Sequence, residues 1–384
     1  MKTTKAVTAV LAGSLAFALI AGACGSSKSN TAATTAAGET SSSAAIDTTA
    51  ATTPATTAVP TPDLKATLNS SGSTFAKVYM EEAIADFTAT NSGVTINYGA
   101  GGSGKGRQDL ADQVTDFAAS DSPIPAADMG KFKGGDVLYF PIVVAPITLS
   151  YNLGVDKLQL SPDTIAKIFQ RQIKKWNDAA IAADNPGVTL PSTDIVVAHR
   201  SDSSGTTDNF TKFLDRAAGA SGSGAWTLKS GSTVEWPTDT QAGNGNAGVA
   251  QIIQGTTGAI GYVDLADAKS LDLKFAAVKN KAGKFVEPTL DGASAAAAGT
   301  TVNPDLTFSA PWADGDGAYP ITAQAFILVY KKQTDKDKGL ATEAFIRYLL
   351  GDGQQITTDL NYGPVPADLV TKEIAQLDSI ELPA

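Results

Sequence analysis

The chain has 384 residues and a formal net charge of −10, with 43% hydrophobic residues, 36 glycines, one cysteine and one histidine. So negative a charge argues against nucleic-acid binding, because neutralising phosphates requires a basic surface. The single cysteine excludes a disulfide framework and a cysteine-based zinc site, and one histidine leaves little material for a histidine metal site or relay catalysis.

Residues 1–23 are predicted to be a lipoprotein signal peptide. Lys2 and Lys5 precede an uncharged apolar stretch that leads directly to Cys24. Its length would also suit an ordinary secretory signal or a transmembrane helix. The small residues before Cys24 resemble the bacterial lipobox, with Ala21 where leucine is usual. We therefore expect a lipid such as palmitate on Cys24, and the loss of two lysines from a charge of −10 leaves the mature chain at −12.

Residues 24–63 are predicted to be a disordered tether. Between residues 25 and 62, 27 of the 38 residues are Ala, Ser or Thr, and prolines follow near the end of the segment. Such a segment has no apolar periodicity and cannot bury enough surface to fold. A flexible chain of this length reaches about 35 Å, which would hold a folded domain away from a membrane.

From Leu64 onward the pattern predicts an α/β fold. Short runs rich in β-branched residues predict strands at 94–98, 138–145, 195–198 and 325–330. Amphipathic stretches predict helices at 75–88, after Ser161-Pro162, and at 340–350 before Gly351. The alternation of the two kinds of element is typical of α/β proteins.

Three turns rich in glycine and hydroxyl residues stand where a predicted strand leads into a helix. They are residues 71–75 (SGSTF), 99–106 (GAGGSGKG) and 200–206 (RSDSSGT). Each offers hydroxyls and free backbone N–H groups at a helix start, which suits an anion. Helix capping alone would explain any one of these turns, but three of them, with an arginine in the third, favour an anion site.

The second turn also fits most of a P-loop and the dinucleotide-binding fingerprint. A P-loop needs Ser or Thr at residue 106 to reach magnesium, and this residue is glycine. The dinucleotide fingerprint needs an acidic residue about 20 positions on, which Asp116 or Asp121 could supply. A lipid-anchored extracellular protein meets little ATP or NAD, so we expect no cofactor.

Asp121 follows an apolar triplet and precedes Ser122-Pro123. It could simply cap a turn, or its carboxylate could face a bound anion. Hydrogen phosphate carries a proton that a carboxylate can accept as a hydrogen bond, whereas sulfate carries none. Sulfate would leave the carboxylate against an acceptor oxygen, which is costly when buried. An aspartate in an anion site would therefore select against sulfate.

Arg200 opens the third turn and has two possible roles. It could form a surface ion pair with Asp202, or its guanidinium could bind a tetrahedral oxyanion through two hydrogen bonds. The two roles are compatible, because Asp202 could hold one edge of the guanidinium. The neighbouring His199 is expected to be structural, and no serine–histidine–aspartate arrangement or Gly-x-Ser-x-Gly motif occurs around Ser203 or Ser204.

From about Leu64 to its C-terminus, the chain resembles the phosphate-binding proteins of the Pst phosphate importers, which are ABC transporters. The likeness includes the motifs 72–75 (GSTF), 101–104 (GGSG), 116–121 (DFAASD) and 200–206, and outside these turns 173–177 (IKKWN), 232–237 (STVEWP), 258–262 (GAIGY) and 319–322 (YPIT). Together and in order, these motifs are highly specific.

The resemblance implies a set of phosphate contacts: Thr74, Phe75 through its N–H, Ser103, Asp121 accepting the phosphate proton, Arg200, Ser204, Gly205 and Thr206, with Asp202 supporting Arg200. In the second turn the family commonly has one serine after Gly-x-Gly, so either Gly102 or Ser103 could take that position. We choose Ser103 because it alone brings a hydroxyl. Lys105 is expected to be solvated.

The resemblance further implies a two-lobed periplasmic-binding-protein-like fold of type II, with the ligand in the cleft between the lobes. The first lobe would comprise residues 64–145 and 319–384, and the second lobe residues 146–318. The expected protein is an extracytoplasmic, non-enzymatic monomer without cofactor or metal, anchored to the cell membrane through Cys24. It would deliver inorganic phosphate to the membrane permease of a Pst transporter. The alternatives are a binder of sulfate or molybdate, a secreted phosphoesterase or other hydrolase, and an adhesive surface protein.

Overall fold

The computed structural model describes residues 63–384. The predicted signal peptide, Cys24 and nearly all of the predicted tether lie outside the described residues. Among residues 63–384, no helix combines the length and the apolar character that a membrane crossing requires.

Strands and helices alternate along the described chain. The strands are β1 (Ala66–Gly72), β2 (Val94–Gly99), β3 (Phe117–Ser120), β4 (Val137–Tyr151), β5 (Gln159–Leu160), β6 (Val196–Arg200), β7 (Gln241–Gly243), β8 (Ala259–Asp264), β9 (Lys274–Phe275), β10 (Ala277–Lys279), β11 (Phe285–Val286) and β12 (Thr322–Tyr330). The helices are α1 (Lys77–Thr90), α2 (Ser103–Ala111), α3 (Pro162–Phe169), α4 (Ala179–Asp184), α5 (Gly205–Ala218), α6 (Gly245–Gly255), α7 (Leu265–Ser270), α8 (Leu290–Ala298), α9 (Lys336–Leu350) and α10 (Ala367–Leu377), with 3₁₀ helices at Ala126–Lys131 and Asp352–Ile356.

Nine of these strands form one mixed sheet in the order β2-β1-β3-β12-β4-β8-β6-β7, with β9 also paired to β4. Strands β2, β1 and β3 are parallel to one another, as are β8, β6 and β7. The antiparallel strands β12 and β4 join these two parallel parts. A second, small sheet has the order β11-β10-β5.

Strand β4 runs through both parts of the large sheet. Its residues 137–146 pair with β12, and its residues 147–151 pair with β8. The strand is buried along nearly all of its length and is mostly apolar, as expected for a strand that is covered on both faces. The lobe boundaries at 145/146 and 318/319 stay a prediction.

The elements predicted from the sequence pattern are confirmed, with shifted ends. The four predicted strands correspond to β2, β4, β6 and β12, and the three predicted helices to α1, α3 and α9. The helix predicted to begin at Phe75 begins at Lys77, because the Ser73 Oγ accepts the Ala76 N–H at 3.0 Å and holds these residues in a turn. At α3, Ser161 occupies the cap position, but its hydroxyl bonds to Asp184 at 2.8 Å instead of capping the helix.

Candidate functional site

The three predicted turns each connect a parallel strand to a helix. They follow β1, β2 and β6 and precede α1, α2 and α5. The Gly104 N–H donates to the Ser203 carbonyl at 2.9 Å, so the second and third turns are in contact. The carboxyl ends of parallel strands are where α/β sheets bind ligands, and the helix starts there carry unpaired N–H groups.

Asp121 lies at the centre of these turns, directly after β3, and is 1% exposed. One of its carboxylate oxygens accepts a hydrogen bond from the Ser73 hydroxyl. The other lies 3.4 Å from the Thr206 hydroxyl, which donates to it. The Asp121 N–H donates to the Ser103 Oγ at 3.1 Å. The carboxylate of Asp121 thus stands within reach of hydroxyls from all three turns.

Two opposing effects set the charge of Asp121. Burial raises the pKa of its carboxyl to about 6, although hydrogen bonds from Ser73 and Ser103 and the charges of Arg200 and Arg107 act to lower it. At pH 7 roughly nine in ten of these carboxyls are therefore ionised. Asp121 is a hydrogen-bond acceptor at neutral pH, and it gains a donating proton when the pH falls below about 6.

The main chain of Asp121 is held from two other elements. Its carbonyl oxygen accepts hydrogen bonds from Asn209 Nδ2 in α5 and from Gln324 Nε2 in β12, both at 2.8 Å. All three residues are buried. Because these bonds fix the peptide from both sides, the carboxylate direction is set by the fold and not by a flexible loop.

Arg200 ends β6 with its guanidinium almost fully buried. Its Nε and Nη2 donate to the two carboxylate oxygens of Asp202, at 2.8 and 2.5 Å. Burial alone would raise the pKa of Asp202, but this pairing with Arg200 holds it below its ordinary value. The Nη1 of Arg200 turns the other way and lies 3.4 Å from the Thr206 hydroxyl. Asp202 thus holds one edge of the guanidinium, and its role as a support of Arg200 at a ligand site stays a prediction.

Asn246, in the first turn of α6, was not predicted as a site residue. Its Oδ1 accepts from Arg200 Nη1 at 3.0 Å, and its Nδ2 donates to the buried Asp264 carboxyl at 2.8 Å. Its N–H donates to the Thr74 Oγ1 at 3.4 Å. The segment 243–248 (GNGNAG) has the same glycine-rich character as the three predicted turns, and it could have indicated a fourth one.

The first two turns place their predicted residues differently. Thr74 is half-buried beside Asn246, whereas the Phe75 ring is fully buried in the core against Tyr362. The Phe75 carbonyl accepts a hydrogen bond from the Tyr362 hydroxyl at 2.7 Å, so the main-chain group of Phe75 that could meet a ligand is its N–H. Gly102 has a φ of 93°, and a Cβ there would collide with the Asp202 carboxylate. The space beside residue 102 is therefore taken, and the hydroxyl at this turn comes from Ser103.

The third turn begins helix α5. The Ser204 Oγ accepts the Thr207 N–H at 3.1 Å and caps the helix, which leaves the hydroxyl proton free to donate. Gly205 follows, and a Cβ there would collide with the Ser103 Oγ and with the side chain of Asp121. Glycine is thus required at 205 because the second turn and Asp121 approach its backbone closely.

Two polar residues beside the site are engaged elsewhere. The His199 ring bonds to the Arg200 carbonyl at 2.9 Å and to the Thr240 hydroxyl at 3.0 Å, and it stacks on Trp236 at 5.1 Å. Burial lowers the pKa of this histidine. Lys105 is exposed and pairs with Asp109 at 2.7 Å. Both side chains therefore have partners outside the group of hydroxyls around Asp121.

The site combines one arginine, several hydroxyls and the N-terminal ends of helices α2 and α5 around one ionised carboxylate. Such a set suits a small oxyanion that also carries a proton, because the donors hold its oxygens and Asp121 accepts the proton's hydrogen bond. Within residues 63–384, no group of three or more His, Cys, Asp or Glu side chains is arranged to hold a metal ion.

The sequence and the fold match known binding proteins. The sequence profile of the PBP superfamily domain matches residues 25–352. The chain is 36% identical to the phosphate-binding protein PstS of Xylella fastidiosa (strain Temecula1) over 310 residues, which cover 79% of this chain and 82% of that protein. It is 34% identical to PstS 3 of Mycobacterium leprae over 315 residues, covering 79% and 84%.

The fold is similar to that of a phosphate-binding protein from Stenotrophomonas maltophilia, with a TM-score of 0.62 and 18% identity over 81% of this chain and 93% of that one. This likeness identifies the two-lobed α/β fold of periplasmic binding proteins, as the sequence predicted. The chain belongs to the PBP superfamily and, within it, to the family of PstS phosphate-binding proteins.

Proposed function

We propose that this protein is an extracytoplasmic receptor that binds inorganic phosphate and delivers it to the permease of an ABC importer. The observation that carries the proposal is the buried, largely ionised Asp121 carboxylate among hydroxyl, N–H and guanidinium donors. A carboxylate in an anion site is favourable when the anion brings a proton. Hydrogen phosphate meets that condition, and the family of the chain is named for phosphate binding.

The proposed ligand contacts come from all three turns. Donors to the phosphate oxygens would be hydroxyls, main-chain N–H groups and the Nη1 edge of Arg200, while Asp202 keeps the guanidinium in place. The residues proposed to contact phosphate are Thr74, Phe75, Ser103, Asp121, Arg200, Ser204, Gly205 and Thr206. Asn246 is proposed to support Arg200 by accepting a hydrogen bond from its Nη1, without contacting phosphate itself.

The same arrangement accounts for selectivity. Sulfate is fully ionised at neutral pH, so one of its oxygens would face the Asp121 carboxylate without a proton between them. The carboxylate oxygen and the sulfate oxygen would both be buried acceptors without a donor, and each would lose the hydrogen bonds that it makes in water. The loss costs about 1–3 kcal/mol for a neutral group and more for a charged one. Phosphate avoids that cost, and we infer that Asp121 distinguishes the two anions.

The proposed role requires no chemical step. In this proposal the lobes, residues 64–145 with 319–384 and residues 146–318, close on phosphate and exclude water, which strengthens the hydrogen bonds to it. The permease would distinguish the closed protein from the ligand-free one. A receptor of this kind releases its ligand unchanged, so we expect no hydrolysis of phosphate esters.

Calorimetric titration tests the proposal. We expect the purified protein, freed of bound phosphate, to bind one equivalent of phosphate with a Kd in the micromolar range or below, and to bind sulfate far more weakly at neutral pH. Arg200→Ala should weaken phosphate binding at least about 100-fold, because a charge-assisted hydrogen bond contributes about 1.5–3 kcal/mol and Arg200 can form more than one. The control is Arg347→Ala on α9, where the arginine pairs with Glu343 and Asp378. Equal phosphate affinity in both variants would contradict the proposed site.

We propose membrane attachment through a lipid on Cys24, with residues 24–63 as the tether. Cys24→Ala should abolish lipid labelling and release the protein from the membrane fraction, while phosphate affinity stays unchanged. Replacing Ser26 by Ala, a conservative change two residues later, serves as the control. Continued lipid labelling of Cys24→Ala would overturn the attachment.

A further inference from the structure

A groove lies next to the proposed phosphate site, between the segments 104–132 and 203–233. It consists of two adjoining cavities of about 370 and 450 Å³. Both cavities are lined by Arg107, Pro125, Ser232 and Thr233. Gly104 and Ser203 line the first cavity, and each is a neighbour in sequence of a proposed phosphate contact.

Arg107 is an unusual cation within the described residues. It is only 7% exposed, and its Nη1 donates to the hydroxyls of Ser120 and Ser122, both at 3.0 Å. Between residues 63 and 384, no carboxylate oxygen lies within salt-bridge distance of its guanidinium, and its Nε and Nη2 have no hydrogen-bond partner. The charges of Asp208, Asp121 and Asp128 act on Arg107 only from beyond salt-bridge distance. A buried charge without a direct ion pair is unfavourable, so this guanidinium can gain by pairing with an anion from the groove.

The other charges of the groove are paired with each other. Lys131 lies 2.7 Å from Asp128, and Lys212 lies 2.6 Å from Asp208. Arg107 therefore leaves the groove lining with a net positive charge, in a chain whose overall charge is strongly negative. The local field at this point attracts anions that the molecule as a whole repels.

The groove follows the same two helices that begin at the proposed phosphate site. Arg107 stands four residues after Ser103 on α2, and Asp208 stands four residues after Ser204 at the start of α5. Residues four apart lie on one face of a helix, about one turn of 5.4 Å along its axis. In addition, Ser120 and Ser122 flank Asp121 in sequence. The groove is thus the continuation of the site by one helical turn.

We propose that Arg107 forms an outer anion site, where a tetrahedral oxyanion binds transiently before it moves inward to Asp121. The proposal rests on the proposed phosphate-receptor function. Two free guanidinium nitrogens suit the paired oxygens of phosphate or sulfate. The carboxylates nearest to this groove, Asp128 and Asp208, are held by lysines, so the outer site binds phosphate and sulfate alike, and discrimination occurs only further in, at Asp121.

The rates of phosphate binding test this proposal. Stopped-flow tryptophan fluorescence of the full-length protein should give a phosphate association rate about tenfold lower for Arg107→Gln than for the native chain at low ionic strength, with the dissociation rate unchanged. Arg107→Lys keeps the charge and should keep most of the association rate. Lys174→Gln removes the same charge at an exposed residue paired with Asp239, and it should associate as the native chain does.

Sulfate provides a second test that needs no substitution at a buried residue. At constant ionic strength, replacing chloride by sulfate should slow phosphate association by the native protein, because sulfate occupies the outer site. The phosphate dissociation rate should not change. Arg107→Gln should lose this sensitivity to sulfate if the variant retains the native melting temperature.

Three outcomes would overturn the outer site. The first is an unchanged association rate with faster dissociation in Arg107→Gln, which would mean that Arg107 only positions the segment around Asp121. The second is equal rates in sulfate and chloride for the native chain. The third is a native protein that binds no phosphate and whose Arg107 Nε–H resonance does not shift with sulfate. A shift of that resonance without phosphate binding would retain the outer site and refute the receptor function instead.

Discussion

At the scale of single residues, the site depends on one carboxyl that is kept close to its point of titration. Burial raises the pKa of Asp121 to about 6, against the lowering effects of Ser73 and Arg200. The group is therefore an acceptor at neutral pH and a donor in moderately acidic solution. Selectivity between anions should follow the same titration, because sulfate requires a donor at this position and hydrogen phosphate requires an acceptor.

We predict that sulfate binding depends on pH through Asp121. Since sulfate binds only when this carboxyl is protonated, its affinity should rise about tenfold for each unit that the pH falls from 8 to 6 and should level off below about 6. Asp121→Asn should bind sulfate with an affinity that hardly changes over this range. Calorimetric titration with sulfate between pH 5 and 8 measures both.

The control for this titration is Asp112→Asn, which changes an exposed carboxylate at the end of α2 that accepts a hydrogen bond from Gln108 at 2.8 Å. It should keep the steep dependence of the native chain. A native protein whose sulfate affinity is constant from pH 8 to pH 5 would show that Asp121 does not face the anion.

Asn246→Ala is predicted to weaken phosphate binding by about 10- to 100-fold. The substitution removes the acceptor 3.0 Å from Arg200 Nη1 and the donor to Asp264, and a hydrogen bond to a charged group contributes about 1.5–3 kcal/mol. The guanidinium would then keep Asp202 on one edge and the longer 3.4 Å contact with Thr206 on the other. Phosphate titration of the variant gives the change in Kd.

Asn244→Ala is the matched control for Asn246. This exposed asparagine stands two residues earlier, at the cap of the same helix, where its side chain makes no capping hydrogen bond. The phosphate affinity and the melting temperature of Asn244→Ala should equal those of the native chain. If Asn246→Ala also binds phosphate with native affinity, Asn246 does not position Arg200.

How far single residues could be predicted depended on their distance in the sequence from a recognisable turn. Arg200 and Ser103 lie in turns whose glycines and hydroxyls are visible in the sequence, and Asp121 stands between an apolar triplet and Ser122-Pro123. Gln324 contacts Asp121, which is 203 positions away in the sequence, and Asn246 contacts Arg200, which is 46 positions away. Nothing in the sequence around Gln324 or Asn246 marks either residue as a partner of the site. Ser103 was chosen over Gly102 from its hydroxyl alone, and the collision of a Cβ at residue 102 with the Asp202 carboxylate is a contact that no spacing predicts.

At the scale of elements, strands with β-branched runs were predicted, whereas the polar β1, the short β3 and the glycine-containing β8 were not. β4 and β12 are mostly apolar, as buried strands usually are. β1 reads ATLNSSG and β3 has only four residues, so neither has a strand signal of its own. They are strands because β1 pairs with β2 on one side and with β3 on the other, which is a long-range property.

Helix α2 is predicted to depend on the absence of a side chain at Gly106. A Cβ there would lie 2.6 Å from the Gly72 Cα, 2.7 Å from the Ser71 carbonyl oxygen and 3.0 Å from the Ala119 carbonyl oxygen. These are main-chain atoms of β1 and β3 and cannot rotate away. Gly106→Ala should push α2 off the sheet, lower the free energy of unfolding by about 1–3 kcal/mol and weaken phosphate binding, because α2 carries Ser103. Urea unfolding and phosphate titration measure the two effects.

Gly255→Ala is the control for Gly106→Ala, because it adds the same methyl group to a helix at a residue that has open space around it. At this residue, the last of α6, a Cβ would have no atom within 4 Å. Its stability should be unchanged or higher by up to about 1 kcal/mol, since alanine favours helix more than glycine does. Native stability in Gly106→Ala would mean that α2 adjusts freely and that its close packing does not fix the second turn.

At the scale of the whole molecule, the alternation of elements allowed the α/β class to be predicted, but not the strand order. The order depends on β4 changing its partner from β12 to β8 within one continuous strand, after residue 146. No break in the sequence marks this change, since the strand is hydrophobic on both sides of it. The lobe boundary at 145/146 rests on the resemblance to a family, since periodicity does not indicate it, and it stays a prediction.

Glu373 links the stability of the entire fold to pH. It lies in α10 fully buried, and within residues 63–384 neither of its carboxyl oxygens has a hydrogen-bond partner. Burial raises the pKa of this carboxyl well above its ordinary value. The folded chain therefore retains a proton that the unfolded chain releases once the pH exceeds about 4.3, so the contribution of Glu373 to stability is lost as the pH rises towards the pKa of the folded state.

Glu373→Gln should accordingly stabilise the protein at neutral pH. Glutamine has nearly the same shape and never loses a proton, so its advantage over the native chain should be small near pH 4.5 and grow by up to about 1.4 kcal/mol per pH unit above it. Urea unfolding of both proteins at pH 5, 6, 7 and 8 measures the difference, and Glu82→Gln, an exposed glutamate on α1, should follow the native curve at every pH. If the advantage of Glu373→Gln were the same at pH 5 and pH 8, the carboxyl would titrate alike in the folded and unfolded chains, and burial of Glu373 could not be a source of pH-dependent stability.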